Sequence, residues 1–196
     1  LIKKKKVKFP ISEENFLIID NEVIDRDSYF LSKIFNEKLL QLSKLKTIIL
    51  RPHNIYGPRM GLSHVIPELI VKILKEQKKS TKSTTVFSPS HKRAFCFIDD
   101  AINALELIMK SEKSMGEIFN IGNDKEEIQI IDLSKKLFDM ANYQVDTKIH
   151  NAPKGSVQRR CPNISKLRKL GFEPSISLDE GLIKTLKWYK NYQKNK

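Results

Sequence analysis

The sequence predicts an α/β protein with parallel strand pairing in at least its first half. Short runs of β-branched residues alternate with amphipathic helical stretches along the chain, the order that places helices beside a mainly parallel sheet. The chain has 196 residues, of which 40% are hydrophobic, enough for a substantial core. No internal repeat or low-complexity linker interrupts the alternation.

An extended, basic opening runs through VKFPISEENF. DSYFLSKIFNEKLL, Asp27 to Leu40, then begins a helix that continues to about Ser43. Phe30, Leu31, Ile34, Phe35, Leu39 and Leu42 recur at helical spacing and predict an apolar stripe facing a core, with Asp27 or Ser28 as cap. KTIILRP reads as a buried strand. SHVIPELIVKILKEQ is helical, with Ser63 as cap and Pro67 tolerated in the first turn. TTVFS and AFCFI are short strands, and Asp99 or Asp100 caps the helix DDAINALELIMKS. EIFNIG and EIQI follow as strands, Asp132 caps LSKKLFDMAN, and VDTKIH is extended. A short helix near ISKLRKL stops at Gly171, and a capping box from Ser177 to Glu180 leads into LIKTLKWYKNYQ.

Lys and Arg total 36 against 23 Asp and Glu, a net charge of +13. That excess suits a polyanionic partner. Its distribution argues otherwise: five lysines lie in LIKKKKVK and five in KTLKWYKNYQKNK, at the two ends of the chain, while the middle mixes both signs, so nucleic acid is disfavoured as partner. Cys96 and Cys161 are far apart and lack a CxxC, and the four histidines are scattered, so neither a disulfide framework nor a metal site is expected. No apolar run reaches the roughly 18 residues needed to span a bilayer, and no signal peptide follows the opening lysines. A reducing, cytoplasmic setting without membrane contact is the expectation.

Tyr29 and Lys33, four residues apart, share one helix face and can reach one cleft. Spacing alone favours a snorkelling surface pair over a catalytic one, since long polar side chains routinely lie over apolar surface. Four further segments bear on the choice. LRPHNIYGPRMG ends a strand in Asn54, Gly57 and Pro58. HKRAFCFIDDAINAL sets Arg93 before a strand and two aspartates after it, for which helix capping is the favoured reading. EIFNIGN gives a strand a polar, glycine-broken exit, and QRRCPNISK places adjacent arginines ahead of an asparagine-capped helix. None of the seven glycines lies closer than four residues to another, so the chain lacks the glycine-rich turn that cradles a dinucleotide pyrophosphate.

Taken in order, these segments resemble the extended short-chain dehydrogenase/reductases, in particular the NAD-dependent epimerase/dehydratase family that acts on nucleotide sugars. Tyr29-Phe-Leu-Ser32-Lys33 matches its YxxSK motif, RPHNIYGPRM its RxxNxYGP strand end, RAFCFIDD its RxFxYVxD segment and NIGN its counterpart. RRCPNISK, LGFEP and SLDEGLIKTLKWY match its C-terminal module, so the likeness runs from about Phe9 to Tyr192. It implies a partial doubly wound, Rossmann-like parallel sheet with a small C-terminal mixed lobe. Residues 1–130 would be the latter part of the NAD-binding domain with interleaved substrate-lobe segments, and 131–196 the substrate-binding lobe. The chain is expected to be the C-terminal portion of a longer parent, lacking the glycine turn, the ribose-binding acid and the Ser or Thr of the catalytic triad, and to be inactive by itself.

The same resemblance assigns roles. Hydride passes from the sugar to NAD, with Tyr29 as base and Lys33 both stabilising the phenolate and holding the nicotinamide ribose. Pro52, His53 and Ile55 would lie near the nicotinamide. Asn54, His64, Val65, Arg93, Arg159 and Arg160 would contact a nucleotide sugar, with one of Arg159 or Arg160 joining Arg93 on the diphosphate. UDP-sugars are favoured because RRCPNISK is similar to the module of uronate decarboxylases and epimerases. A homodimer is implied for the complete parent. The alternative is a catalytically silent nucleotide-sugar-binding fragment that needs a partner for the cofactor half.

Overall fold

Nine short strands and six α-helices make up the computed structural model, which describes residues 8–15, 27–152 and 156–194. The lysine run at 3–6 therefore lies outside the described residues. The order is α1 (Asp27–Leu42), β1 (Ile49–Pro52), β2 (Ile55–Tyr56), α2 (Val65–Lys78), β3 (Ser83–Phe87), β4 (Lys92–Ala94), β5 (Cys96–Phe97), α3 (Ile98–Lys110), β6 (Ile118–Ile121), β7 (Glu127–Gln129), α4 (Ile130–Met140), β8 (Asp146–His150), β9 (Arg159–Arg160), α5 (Ser165–Arg168) and α6 (Leu178–Lys194).

Four of the five strand pairings are parallel: β1 with β6, β2 with β5, β3 with β8, and β4 with β9. β4 also pairs antiparallel with β7. This is the expected mixed α/β architecture of short parallel sheet pieces. The pairs β2–β5 and β4–β9 hold only two residues per strand in the second member, too short to leave a periodicity in sequence.

Two apolar clusters form the core. The larger gathers one face each of α2, α4 and α6 around Tyr56, Phe95 and Phe97. The smaller packs α3 and α5 onto β6 through Ala104, Ile108, Phe119, Ile164 and Leu167. Tyr56 donates to the Leu178 carbonyl at 3.1 Å, joining the strand that leaves the first motif to the last helix. That fit depends on Gly181, where a Cβ would lie 2.1 Å from the Tyr56 hydroxyl. Gly171 stops α5 with φ +93°, the left-handed conformation glycine adopts without steric cost.

Several local expectations change. α1 runs as predicted, but none of its residues is buried, and Leu42, Tyr29 and Phe35 are strongly exposed. Its apolar stripe is not buried against a core among the described residues. Ser63, Asp99 and Asp132 do not cap their helices. The N-cap positions are His64, Phe97 and Gln129, each extended and without a side-chain cap bond. At α3 and α4 a strand feeds the helix directly, so no polar turn residue intervenes. Asp100 instead accepts the Ser175 N–H and hydroxyl and the Ile176 N–H at 2.8–3.0 Å, tying α3 to the approach of α6. At α6, Ser177 Oγ does accept the Glu180 N–H, at 3.3 Å.

Candidate functional site

On α1, Lys33 Nζ stands 5.2 Å from the centre of the Tyr29 ring, as the four-residue spacing requires. Ser32, between them, returns its hydroxyl to the Tyr29 carbonyl at 2.7 Å and adds nothing to the exposed face. One turn beyond Lys33, Glu37 receives a two-pronged contact from Arg51 on β1, Nε at 2.9 Å and Nη2 at 2.6 Å. The third prong of Arg51 donates to the Glu13 carbonyl at 3.0 Å. The bond to Glu37, opposed in part by burial, holds the Arg51 guanidinium above its usual pKa. The sequence signal was present, since Glu37 follows Lys33 by four residues, but its partner was not foreseeable without the pairing of helix and strand.

Beyond Arg51, β1 ends in Pro52, which is exposed, and His53 follows it, partly buried. The His53 N–H bonds the Ile121 carbonyl at 2.8 Å, and its Nε2 lies 3.0 Å from Asn120 Oδ1. Asn120 Nδ2 donates to the carbonyls of Ile11 and Asn163, so Oδ1 is left as acceptor and His53 carries its proton on Nε2. Burial lowers the His53 pKa, the bond to Asn120 works against that, and the charges of Arg160 and Arg51 lower it further. The Asn120 N–H donates to the Glu13 carboxylate at 2.8 Å. Asn120 is thus a hub joining β1, β6, the 11–13 segment and the 163 turn, and sequence reading missed it because each bond is distant in sequence. Gly122 allows the approach: a Cβ there would meet Pro162 Cγ at 2.7 Å and His53 Cβ at 3.3 Å.

Asn54 adopts φ 45°. Its side-chain amide donates to the Ala94 carbonyl at 2.9 Å and its own carbonyl accepts the Cys96 N–H at 3.2 Å. This turn carries the chain into β2, where Ile55 pairs with Cys96. Val65 packs against the larger cluster at the start of α2, while His64 before it is exposed.

The arginines divide. Arg93 on β4 and Arg160 on β9 are register partners, so these two distant residues stand side by side. Arg93 reaches the carbonyls of Val157 at 2.6 Å and Lys92 at 2.8 Å, which orders the strand approach to β9. Arg159 alternates to the opposite face. There it forms a two-pronged bond with Glu127 at 2.7 and 2.8 Å and covers the Phe9 ring at 4.7 Å. Glu127 raises the Arg159 pKa. Both cysteines are buried and free. Among the described residues no group of His, Cys, Asp or Glu could hold a metal ion, and no helix is long and apolar enough to cross a membrane.

With this geometry in hand, comparison with known proteins gives consistent matches. Residues 12–122 match the model of the NAD dependent epimerase/dehydratase family. A dTDP-D-glucose 4,6-dehydratase of Dictyostelium discoideum is 28% identical over 83% of this chain and 45% of its own length. A putative UDP-glucose 4-epimerase of Methanocaldococcus jannaschii is 33% identical over 91% of this chain and 59% of its own. A crystal structure of UDP-glucuronic acid 4-epimerase from Bacillus cereus in complex with NAD superposes with a TM-score of 0.77 at 25% identity, covering 95% of this chain and 56% of that one. The chain spans about half the length of the curated relatives it matches.

Proposed function

This chain belongs to the NAD dependent epimerase/dehydratase family, and from that premise we propose that it supplies the proton-transferring and substrate-holding half of a nucleotide-sugar epimerase, dehydratase or decarboxylase. The observation that carries the reading is the Tyr29–Lys33 pair at the start of α1, with Lys33 Nζ 5.2 Å from the Tyr29 ring centre. A free tyrosine has a pKa of about 10 and is a poor base at neutral pH. Lys33, one helical turn on, brings a cation beside the Tyr29 ring. Tyr29 then takes the proton of a sugar hydroxyl.

The residues present suit the nicotinamide-ribose end of NAD. Lys33 and Tyr29 offer polar groups to ribose hydroxyls, and Pro52, His53 and Ile55 form the adjoining wall. They do not suit its pyrophosphate end, for which the sequence has no glycine-rich turn. NAD, when bound, accepts the hydride from the sugar carbon.

Arg93 and Arg160 hold the diphosphate of the nucleotide sugar, a task for which the planar guanidinium is suited. The register pairing of these two favours Arg160 over Arg159, which alternates to the opposite face of β9. Asn54 contacts phosphate or sugar through its carbonyl oxygen, its amide being committed to Ala94. His64 and Val65 shape the nucleotide end of the cleft from the start of α2. UDP-sugars remain the favoured class, and a homodimer the favoured assembly.

A second reading is a nucleotide-sugar-binding half that is silent without a cofactor-binding partner, and it draws support from the apolar face of α1 that the described residues leave uncovered. Calorimetry with UDP-glucuronate and NAD⁺ separates the two. The enzyme reading requires NAD⁺ binding and NADH formation by the protein containing this chain, with Tyr29→Phe lowering turnover at least about 100-fold and leaving sugar-nucleotide affinity unchanged. Sugar-nucleotide binding without NAD⁺ binding supports the silent half. Unaltered turnover in Tyr29→Phe rejects Tyr29 as base.

A further inference from the structure

Among the described residues, no buried apolar contact fixes the rotation of the Tyr29 helix. No residue of α1 is buried, so apolar packing does not set how the helix is turned about its axis. Among the described residues it meets the sheet through the bidentate Glu37–Arg51 pair, and both side chains there are only about one-fifth exposed (20% and 21%). We infer that Glu37 and Arg51 are positioning residues, a clasp that sets where Tyr29 and Lys33 stand relative to the end of β1. The inference rests on the proposed role of Tyr29.

Tyr29, Lys33 and Glu37 follow one another at four-residue intervals and lie along one broad helix face. The helix and β1 are joined by the short 43–48 connection and meet again where Glu37 touches Arg51, so they run antiparallel. Tyr29, eight residues or about 12 Å further from that connection at 1.5 Å per residue, therefore lies toward the end of β1 carrying Pro52 and His53.

A single-point contact would let the helix roll. A planar fork engaging both carboxylate oxygens fixes distance and roll together, which an ammonium could not do. Arg51 is itself held, because its remaining prong bonds the Glu13 carbonyl, while the Glu13 carboxylate bonds the Asn120 N–H and Asn120 bonds His53. One chain of polar contacts thus links the turn of α1 to the ring beside the nicotinamide position. At a side-chain radius of about 5–6 Å, a roll of about 10° moves a helix side chain by about 1 Å. Misplacement of about 1 Å lowers rates by about 10².

The test uses Glu37→Gln, Arg51→Lys and the swap Glu37→Arg with Arg51→Glu. Hydrogen exchange on the 196-residue chain reads the clasp without turnover: amides of α1 should exchange at least about 10-fold faster in both single variants while those of α2 and α4 stay unchanged, and the swap should restore most of the protection. In the NADH assay, the single variants should lower kcat about 10- to 100-fold with little change in KM, the swap should recover part of the loss, and Glu37→Gln should add nothing in a Tyr29→Phe background. Unchanged α1 exchange, or faster exchange in α2 and α4 alongside α1 in both single variants, overturns the clasp. Failure of the swap to restore, or an undiminished Glu37→Gln effect on Tyr29→Phe, overturns it as well. If Tyr29→Phe alone leaves turnover intact, the role of Tyr29 fails while the exchange result still decides whether Glu37 and Arg51 hold the helix.

Discussion

Replacing Asp100 by asparagine separates two explanations of that carboxylate. If it only capped α3, asparagine would serve equally well, since the two residues rank together at helix starts. The structure gives it different work: Oδ1 accepts the Ser175 N–H and hydroxyl, Oδ2 accepts the Ile176 N–H, and the residue is 1% exposed. Asparagine keeps one acceptor and turns an NH₂ toward a backbone N–H. One hydrogen bond to a charged acceptor, worth about 1.5–3 kcal/mol, is lost and two are weakened, while the relief of a buried charge offsets part of that. The net expectation is about 2 kcal/mol of destabilisation, or about 4–8 °C in Tm for a chain of this size. Urea titration followed by far-ultraviolet circular dichroism measures it, with Asp99→Asn, at an exposed neighbour, as the control. A loss below about 0.5 kcal/mol for Asp100→Asn, the scatter of ordinary surface changes, would refute the network account and restore the capping one.

Two other outcomes are expected. Arg160→Ala and Arg93→Ala should each weaken UDP-sugar binding about 10-fold in calorimetry, by loss of a charge-assisted bond, while Arg159→Ala leaves it nearly unchanged; equal effects at 159 and 160 would contradict the division of the arginines between two faces. His53 and His91 both have lowered pKa values, chiefly through burial, with Arg160 and Arg51 near the first and Arg93 near the second. The unfolded chain therefore binds protons first as pH falls below about 6.5, so stability should be complete above that value and decline below it, toward the folded-state values. Urea midpoints between about pH 8 and about pH 5 should show this decline, and His53→Gln should flatten it; a midpoint independent of pH would exclude the mechanism.

Much of the fold was legible because the information is local. α2 and α4 carry the 3.6-residue apolar period, β3 and the Thr47–Ile49 approach to β1 are β-branched runs, and Ser177 and Gly171 mark helix ends by their own chemistry. The stripe on α1 was equally legible as a pattern, yet the described residues leave it uncovered, since a period states which face is apolar and not what lies opposite. The caps at 97 and 129 were misplaced for a related reason: strands that feed directly into helices remove the polar turn on which the expectation depended. Within the site, YxxSK and the strand ends marked the chemistry-bearing side chains. The contacts that hold them, Glu37 with Arg51 and Asn120 with His53, join residues 14 and 67 positions apart. No single-segment pattern reports such separations.

The parallel pairing also governs the order in which this polypeptide can acquire structure as it leaves the ribosome. Ile49 pairs with Ile118, 69 positions later, and Ser83 with Asp146, 63 positions later. At about 5–20 residues per second, β1 therefore waits about 3–14 s for β6 to be made. Throughout that interval Ile48, Ile49 and Leu50 have no strand to join on the side that β6 later occupies. A nascent chain paused before residue 118 would present this segment to chaperones or to other unfinished chains, and it would lack the Asn120 that later anchors Ile11 and His53.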